Sequence, residues 1–180
     1  MGTSDLGIQA AANLTSVVLN SGSNTNSTNE NLTVYTNQDS NASVKLIYDW
    51  KNNSASIAVL NMPFEFDGNQ NATDYSGYGN NGSLNGATWN SSGGHDDFGA
   101  YQFDGVNDYI QIAGGPEFTL KDFSLAARFR SIGGTAENQN IVNNFDSDGE
   151  WFSIHIFSDG DSVFPMIMVL ILYDRLLLLE

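Results

Sequence analysis

Apolar and polar residues alternate along most of this chain with a period of two, which is the pattern of half-buried β-strands. In residues 123–130, two phenylalanines, a leucine and an alanine share one face, and both arginines lie on the other. Sustained helical periodicity is absent. The strands predicted from this alternation and from the turn-forming residues between them are 16–19, 32–35, 44–50, 56–60, 87–90, 100–104, 109–112, 123–130, 140–144 and 150–158.

The predicted fold class is therefore all-β, an antiparallel β-sandwich. In segment 44–50 the alternation places Tyr48 and Trp50 on an inner face and Asp49 on the outer face. Residues 1–62 are rich in Asn, Ser and Thr, whereas glycine and aromatic residues become frequent after Pro63, which cannot donate to a strand ladder. We therefore expect one domain at 1–62, with a flexible N-terminal end, and a second at 63–180.

The segment 165–180 breaks the pattern. It contains MIMVLIL and LLLL, with no alternation and no turn chemistry. It is predicted to be one buried strand, a short helix, or a segment foreign to the fold. Since Asp174 and Arg175 interrupt it, it falls short of the roughly 20 apolar residues of a membrane span, and no membrane insertion is expected.

The composition of the chain excludes several classes of function. The formal net charge is −15, from 21 acidic residues and 6 Lys and Arg, which argues against a nucleic-acid partner because phosphates need clustered cations. There is no cysteine, so disulfides and thiol nucleophiles are excluded. Residues 1–12 lack the basic and apolar regions of a signal peptide, so an exported chain is expected to belong to something longer.

Several motifs together resemble the laminin-G-like, concanavalin A-like jelly-roll family. They are DYSGYGNNG at 74–82, GATW at 86–89, GAYQFDGVNDYI at 99–110, FTLKDFSL at 118–125 and GEWFSIHIFSDG at 149–160. The resemblance covers residues from about 63 to 160. It implies a jelly roll that is incomplete at its C-terminus, since residues 165–180 do not look like the family's last strands. Residues 31–65 resemble the short Ig-like unit that precedes such domains in prokaryotic, especially archaeal, surface proteins.

The function implied is a non-catalytic extracellular or cell-surface binding module that recognises a glycan or another surface protein, within a larger multidomain protein. Sugar sites combine aromatic platforms with polar groups. The candidate ligand-binding residues are Trp89, Tyr109, Trp151 and His155. One alternative is a structural surface-layer or stalk segment without a ligand. Another is a glycoside hydrolase of the same fold, for which Asp146 and Glu150 are the nearest pair of carboxylates.

Calcium is the candidate cofactor. Hard cations take several oxygen ligands from carboxylates, amides and backbone carbonyls, and many jelly rolls of this kind bind calcium at loop ends. The candidate ligands are Asp74, Asn80, Asp104 and Asp108. The alternative is that these residues only form turns.

Asn-x-Ser/Thr sequons are frequent in the first half of the chain. They begin at Asn13, Asn26, Asn31, Asn41, Asn52, Asn71, Asn81 and Asn90. Since an acceptor asparagine must be accessible, this density is typical of an exposed and glycosylated surface protein.

Overall fold

The computed structural model describes residues 14–23, 25, 30–38, 45–65, 71–118, 123–131, 139–145, 151–156 and 166–173. Its strands are β1 (Leu14–Ser21), β2 (Leu32–Gln38), β3 (Lys51–Asn52), β4 (Ala55–Ser56), β5 (Ala58–Met62), β6 (Asn71–Ala72), β7 (Gly82–Asn85), β8 (Thr88–Asn90), β9 (Ala100–Gln102), β10 (Tyr109–Ile112), β11 (Ser124–Ser131), β12 (Gln139–Phe145), β13 (Trp151–Ile156) and β14 (Met166–Tyr173). Helix in the described ranges is limited to one 3₁₀ turn, Pro116–Phe118. The predicted all-β class is confirmed.

Residue contacts divide the chain into two compact units, and the division falls between Tyr48 and Asp49. The domain boundary that composition places after residue 62 stays a prediction. Strand β5, which ends at that boundary, pairs with β14. Within the described ranges, no helix has the length and the apolar composition that crossing a membrane requires.

The N-terminal unit contains an antiparallel hairpin of β1 and β2. Val18 pairs with Tyr35 and Leu19 with Val34, and the register shifts near Leu14. In the connection, hydrogen bonds from hydroxyl groups, with Ser23 the largest contributor, lower the pKa of the exposed Glu30 carboxyl to about 2. These bonds join the described residues Ser23, Thr25 and Glu30, as hydroxyl side chains do in turns rich in Ser and Thr.

The second unit is organised around β14. This strand pairs with β11 along the whole length of both, from Ser124 opposite Tyr173 to Ser131 opposite Met166. Its other edge pairs with β5 and then with β9, which continues to β8. The apolar run near the C-terminus is thus an inner strand of a five-stranded antiparallel sheet. Over the described residues 166–173, the strand is the one of the three predictions for segment 165–180 that the structure shows.

A second antiparallel sheet has the order β10-β7-β6. Leu84 and Ile110 pair across β7 and β10 and pack against the core. A side chain at Gly82 would place its Cβ 2.4 Å from Ile110 Cγ2, so only glycine allows this close strand pairing. Two hairpins complete the unit, β3-β4 and β12-β13.

The core lies where these elements pack together. Tyr101 and Met62 are its largest fully buried side chains, each 0% exposed. The Tyr101 ring meets Phe64 edge to face, with centroids 5.3 Å apart. The other buried members are Val59, Leu60, Ala72, Ala87, Phe103 and Ile141. Small antiparallel sheets around one apolar core are compatible with a β-sandwich.

The predicted strand at 44–50 is wrong over the described residues 45–50, which form no strand. Tyr48 is 38% exposed and Asp49 only 7%, the reverse of the predicted faces. Asp49 is held inside because its carboxylate accepts a hydrogen bond from Ser56 Oγ at 2.5 Å and lies 3.6 Å from Lys51 Nζ. A locally satisfied carboxylate therefore overrides the alternation.

Candidate functional site

The outer side of the β10-β7-β6 sheet carries one aromatic ring among amide and hydroxyl side chains. We call it the Tyr109 face, defined by Asn71, Ser83, Asn85, Tyr109 and Gln111. Tyr109 pairs with Asn85, while Gln111 pairs with Ser83, and Ser83 pairs with Asn71. Paired residues of neighbouring strands point to the same side of a sheet, so the five side chains share one surface.

Exposure confirms which side of this sheet faces solvent. Tyr109 is 52% exposed, and Asn71, Ser83 and Gln111 are also exposed, while Asn85 is half-buried. The residues between them on the strands, Leu84 and those flanking Gln111, pack against the core. The alternation of β10 thus holds a large ring in water on a sheet whose other side is fixed by apolar packing.

The polar groups of the Tyr109 face are available to a ligand. None of its five side chains makes a hydrogen bond or ion pair with another described residue; the carbonyl of Asn71, which accepts from the Tyr101 hydroxyl at 3.4 Å, is backbone. The face contains no charged side chain. It therefore offers uncharged donors and acceptors beside an exposed aromatic ring.

Hydrogen bonds in the loop before β10 fix the point at which this strand begins, at Tyr109. The backbone N–H of Asp104 donates to Asp108 Oδ2 at 2.8 Å, and Asp104 Oδ1 accepts from the N–H of Val106 at 2.8 Å. The Asp108 carboxylate covers Gly86, where an added Cβ would lie 1.8 Å from Asp108 Oδ1. Gly86 also has φ +78°, so both space and backbone conformation require glycine.

Asp74, the first calcium candidate, is a buried carboxylate that organises its own loop. Its Oδ1 accepts from the N–H groups of Asn61 (3.0 Å) and Ser76 (2.9 Å). Its Oδ2 accepts from Ser76 Oγ (2.6 Å) and from the N–H of Asn80 (3.0 Å). The side-chain amide of Asn80 donates to the carbonyl of Val59 at 3.0 Å. Four donors already point at this carboxylate, which fixes the loop. Calcium binding by Asp74 and Asn80 stays a prediction.

Asp104 and Asp108, the other two candidates, lie together in the loop before β10, apart from the Asp74 loop in sequence and in hydrogen bonding. Each keeps one carboxylate oxygen without a hydrogen bond to a described residue. Calcium takes about six to eight oxygen ligands, so these two oxygens supply only a fraction of a site. Within the described ranges no group of three or more His, Cys, Asp or Glu comes together. Calcium at this loop stays a prediction.

Replacing Asp74 by asparagine is expected to destabilise the larger unit by about 2 kcal/mol, because the amide turns one acceptor into a donor that faces donors. Urea unfolding measures the change, and Asp97→Asn, at an exposed aspartate, is the matched control. We expect the same loss in calcium and in chelator. A loss that appears only in calcium would contradict a purely structural role of Asp74.

Trp89, a candidate aromatic platform for a sugar, takes part in the hydrogen bonding and packing of the fold. Its indole N–H donates to the carbonyl of Phe64 at 3.0 Å, and the half-buried ring packs against the core. Trp151 and His155 have their backbones in β13, opposite Phe145 and Asn140, and their side chains lie outside what the structure describes. The carboxylates of Asp146 and Glu150 also lie outside the described residues. Of the two candidate ligand-binding residues whose side chains the structure describes, Tyr109 is the one in an exposed polar setting.

Burial raises the pKa of the Tyr75 phenol, and the negative charge of Glu65 adds to that effect. Glu65 Oε2 accepts a hydrogen bond from the N–H of Gly99 at 3.1 Å. These groups belong to the segment that follows β5 and to the Asp74 loop, and neither is part of the Tyr109 face. The shift at Tyr75 is therefore explained by its local surroundings.

No protein-family model matches the chain, and neither the curated proteins nor the solved structures give a match. Function is therefore inferred from the residues themselves.

Proposed function

We propose that this chain is a non-catalytic extracellular binding module whose Tyr109 face takes uncharged glycans. The observation that carries the proposal is the exposed ring of Tyr109 beside Asn71, Ser83, Asn85 and Gln111, whose side chains make no hydrogen bond to a described residue. A pyranose ring stacks its C–H groups on an aromatic face, and its hydroxyls exchange hydrogen bonds with amides and hydroxyls.

The expected affinity is low. A single exposed ring on an open sheet buries little area, and every polar contact replaces one made to water. We expect a dissociation constant on the order of 1 mM, which corresponds to about −4 kcal/mol. Repetition of the module along a larger surface protein would raise the effective affinity, because linked sites bind the same glycan surface together.

Electrostatics favours uncharged sugars over anionic ones. Asp104 and Asp108 precede Tyr109 in the adjoining loop, and the whole chain carries a formal charge of −15. Carboxylated or sulfated sugars are repelled by these charges, most strongly at low ionic strength. The same argument disfavours nucleic acid.

The wider setting of the proposal is a laminin-G-like jelly roll after a short Ig-like unit, displayed on a cell surface as part of a larger protein. The motifs quoted above and two small antiparallel sheets around a common core support it. A glycan or another cell-surface protein is the partner in this setting. If no sugar binds, the alternative of a structural surface segment without a ligand is favoured.

Replacing Tyr109 by alanine is expected to weaken binding of a neutral oligosaccharide by about tenfold, which corresponds to about 1.4 kcal/mol of lost stacking. A screen of neutral and anionic oligosaccharides on the full chain identifies the probe, and titration calorimetry measures the change. Tyr78→Ala is the matched control, because Tyr78 is 49% exposed and lies in the loop between β6 and β7, not among the five residues of the Tyr109 face.

Retained binding by the Tyr109 variant, or an equal loss in both variants, would overturn the assignment of this face. Repeating the titration in calcium and in chelator tests the calcium prediction. Release of reducing ends during the assay would instead favour the glycoside hydrolase alternative.

A further inference from the structure

The sequon at Asn71 lies inside the Tyr109 face. Asn71 is exposed, it begins the sequence Asn71-Ala72-Thr73, and its side chain makes no hydrogen bond to a described residue. It occupies β6, at the end of the sheet order β10-β7-β6. An accessible amide on a terminal strand is a suitable glycan acceptor.

Two other sequons differ because their amide oxygens are used within the fold. Asn81 Oδ1 accepts from the N–H of Asp74 at 2.9 Å. Asn90 Oδ1 accepts from the N–H of Ser92, the third residue of its own sequon, at 3.0 Å. Asn52, like Asn71, is exposed and makes no such bond, but it lies on the β3-β4 hairpin.

A glycan on Asn71 would start within reach of the Tyr109 ring. Asn71 and Gln111 are separated by the single strand β7, which amounts to two strand spacings or about 10 Å. Tyr109 lies two positions further along β10, about 7 Å away. The first few sugar rings of an attached glycan cover this distance while passing over Ser83.

We propose that Asn71 carries an N-linked glycan that folds over the Tyr109 face and competes with external sugars for it. In the modification, Asn71 Nδ2 bonds to the anomeric carbon of a lipid-diphosphate-linked oligosaccharide, the bond from that carbon to the diphosphate breaks, and one amide proton is lost. Modification at Asn71 thereby regulates the binding module. The competition rests on the proposed function of the face, whereas occupancy of Asn71 does not.

The strength of the competition follows from tethering. A ligand on a short flexible link has an effective concentration in the millimolar range. The dissociation constant expected for this face is on the order of 1 mM. The attached glycan therefore occupies the face for much of the time, and external binding weakens by a few-fold or more.

The test compares the full chain made in an N-glycosylating host with the chain made in a host that lacks this modification. Peptide mass spectrometry measures occupancy at Asn71. Thr73→Ala destroys the sequon and leaves all five side chains of the Tyr109 face in place. Asn52→Gln removes an exposed acceptor elsewhere and is the matched control. Titration with the neutral oligosaccharide that binds the unmodified chain gives the readout.

We expect Asn71 to be occupied, the glycosylated chain to bind several-fold more weakly than the unmodified chain, and Thr73→Ala but not Asn52→Gln to restore binding. An unoccupied Asn71, or an occupied Asn71 with unchanged affinity, overturns this inference and leaves the proposed function standing. Failure of the unmodified chain to bind any oligosaccharide overturns the proposed function, and the competition falls with it.

Discussion

Deletion of residues 166–180 is expected to abolish the cooperative thermal unfolding of the larger unit. β14 pairs with β11 on one edge and with β5 and β9 on the other. Each ladder hydrogen bond contributes about 1 kcal/mol, and the apolar packing of three neighbouring strands depends on them. The summed loss is on the order of 10 kcal/mol, which is comparable to the roughly 5–15 kcal/mol that stabilise an ordinary domain. Calorimetry measures the transition directly.

Deletion of residues 174–180 alone is the control for the first prediction, because it leaves β14 complete. That variant should melt near the temperature of the full chain. A cooperative transition at an unchanged temperature after removal of 166–180 would contradict the inner position of β14, and would mean that the apolar run is foreign to the fold.

Replacing Tyr101 by alanine is expected to cost about 3–5 kcal/mol, in the range measured for removing large aromatic side chains from cores. Tyr101 is 0% exposed on β9, and its ring meets Phe64 edge to face. The cavity would lie in the core beside Phe64, whose backbone is fixed because its carbonyl accepts from the Trp89 indole. Chemical denaturation gives the free energy of unfolding.

Tyr101→Phe separates ring packing from the hydroxyl group. It keeps the ring and removes the hydroxyl that donates the long hydrogen bond to the Asn71 carbonyl, 3.4 Å, so we expect a cost of about 1 kcal/mol. If alanine and phenylalanine were equally tolerated, the core position of Tyr101 would be wrong.

The alternation of apolar and polar residues was sufficient to predict strands that have one apolar and one polar face. The predicted segment 109–112 coincides with β10, and 123–130 agrees with β11 to within one residue at each end. In β10 both isoleucines pack against the core and Gln111 faces water. In β11 Leu125 and Ala127 pack against the core and both arginines are exposed, but Phe129, on the predicted inner face, is 41% exposed. The tail gave no such signal, because the sequence of β14 is apolar throughout. Periodicity alone cannot separate such a run from a helix.

Only part of the Tyr109 face could be predicted from the sequence. Tyr109 was recognised as an aromatic residue on a strand, but Asn71 and Ser83 come from β6 and β7, which are short and lie among glycines and asparagines. Their place beside Gln111 depends on pairing between strands distant in sequence. That register is set by tertiary packing rather than by local propensity.

The most direct test of the proposed glycan site is amide chemical-shift mapping of the unmodified full chain during titration with neutral oligosaccharides. We expect concentration-dependent shifts at Tyr109, Gln111 and Asn85, complete at about tenfold above a dissociation constant on the order of 1 mM. Shifts confined to other surfaces, or none at all in that range, would contradict glycan binding by the Tyr109 face.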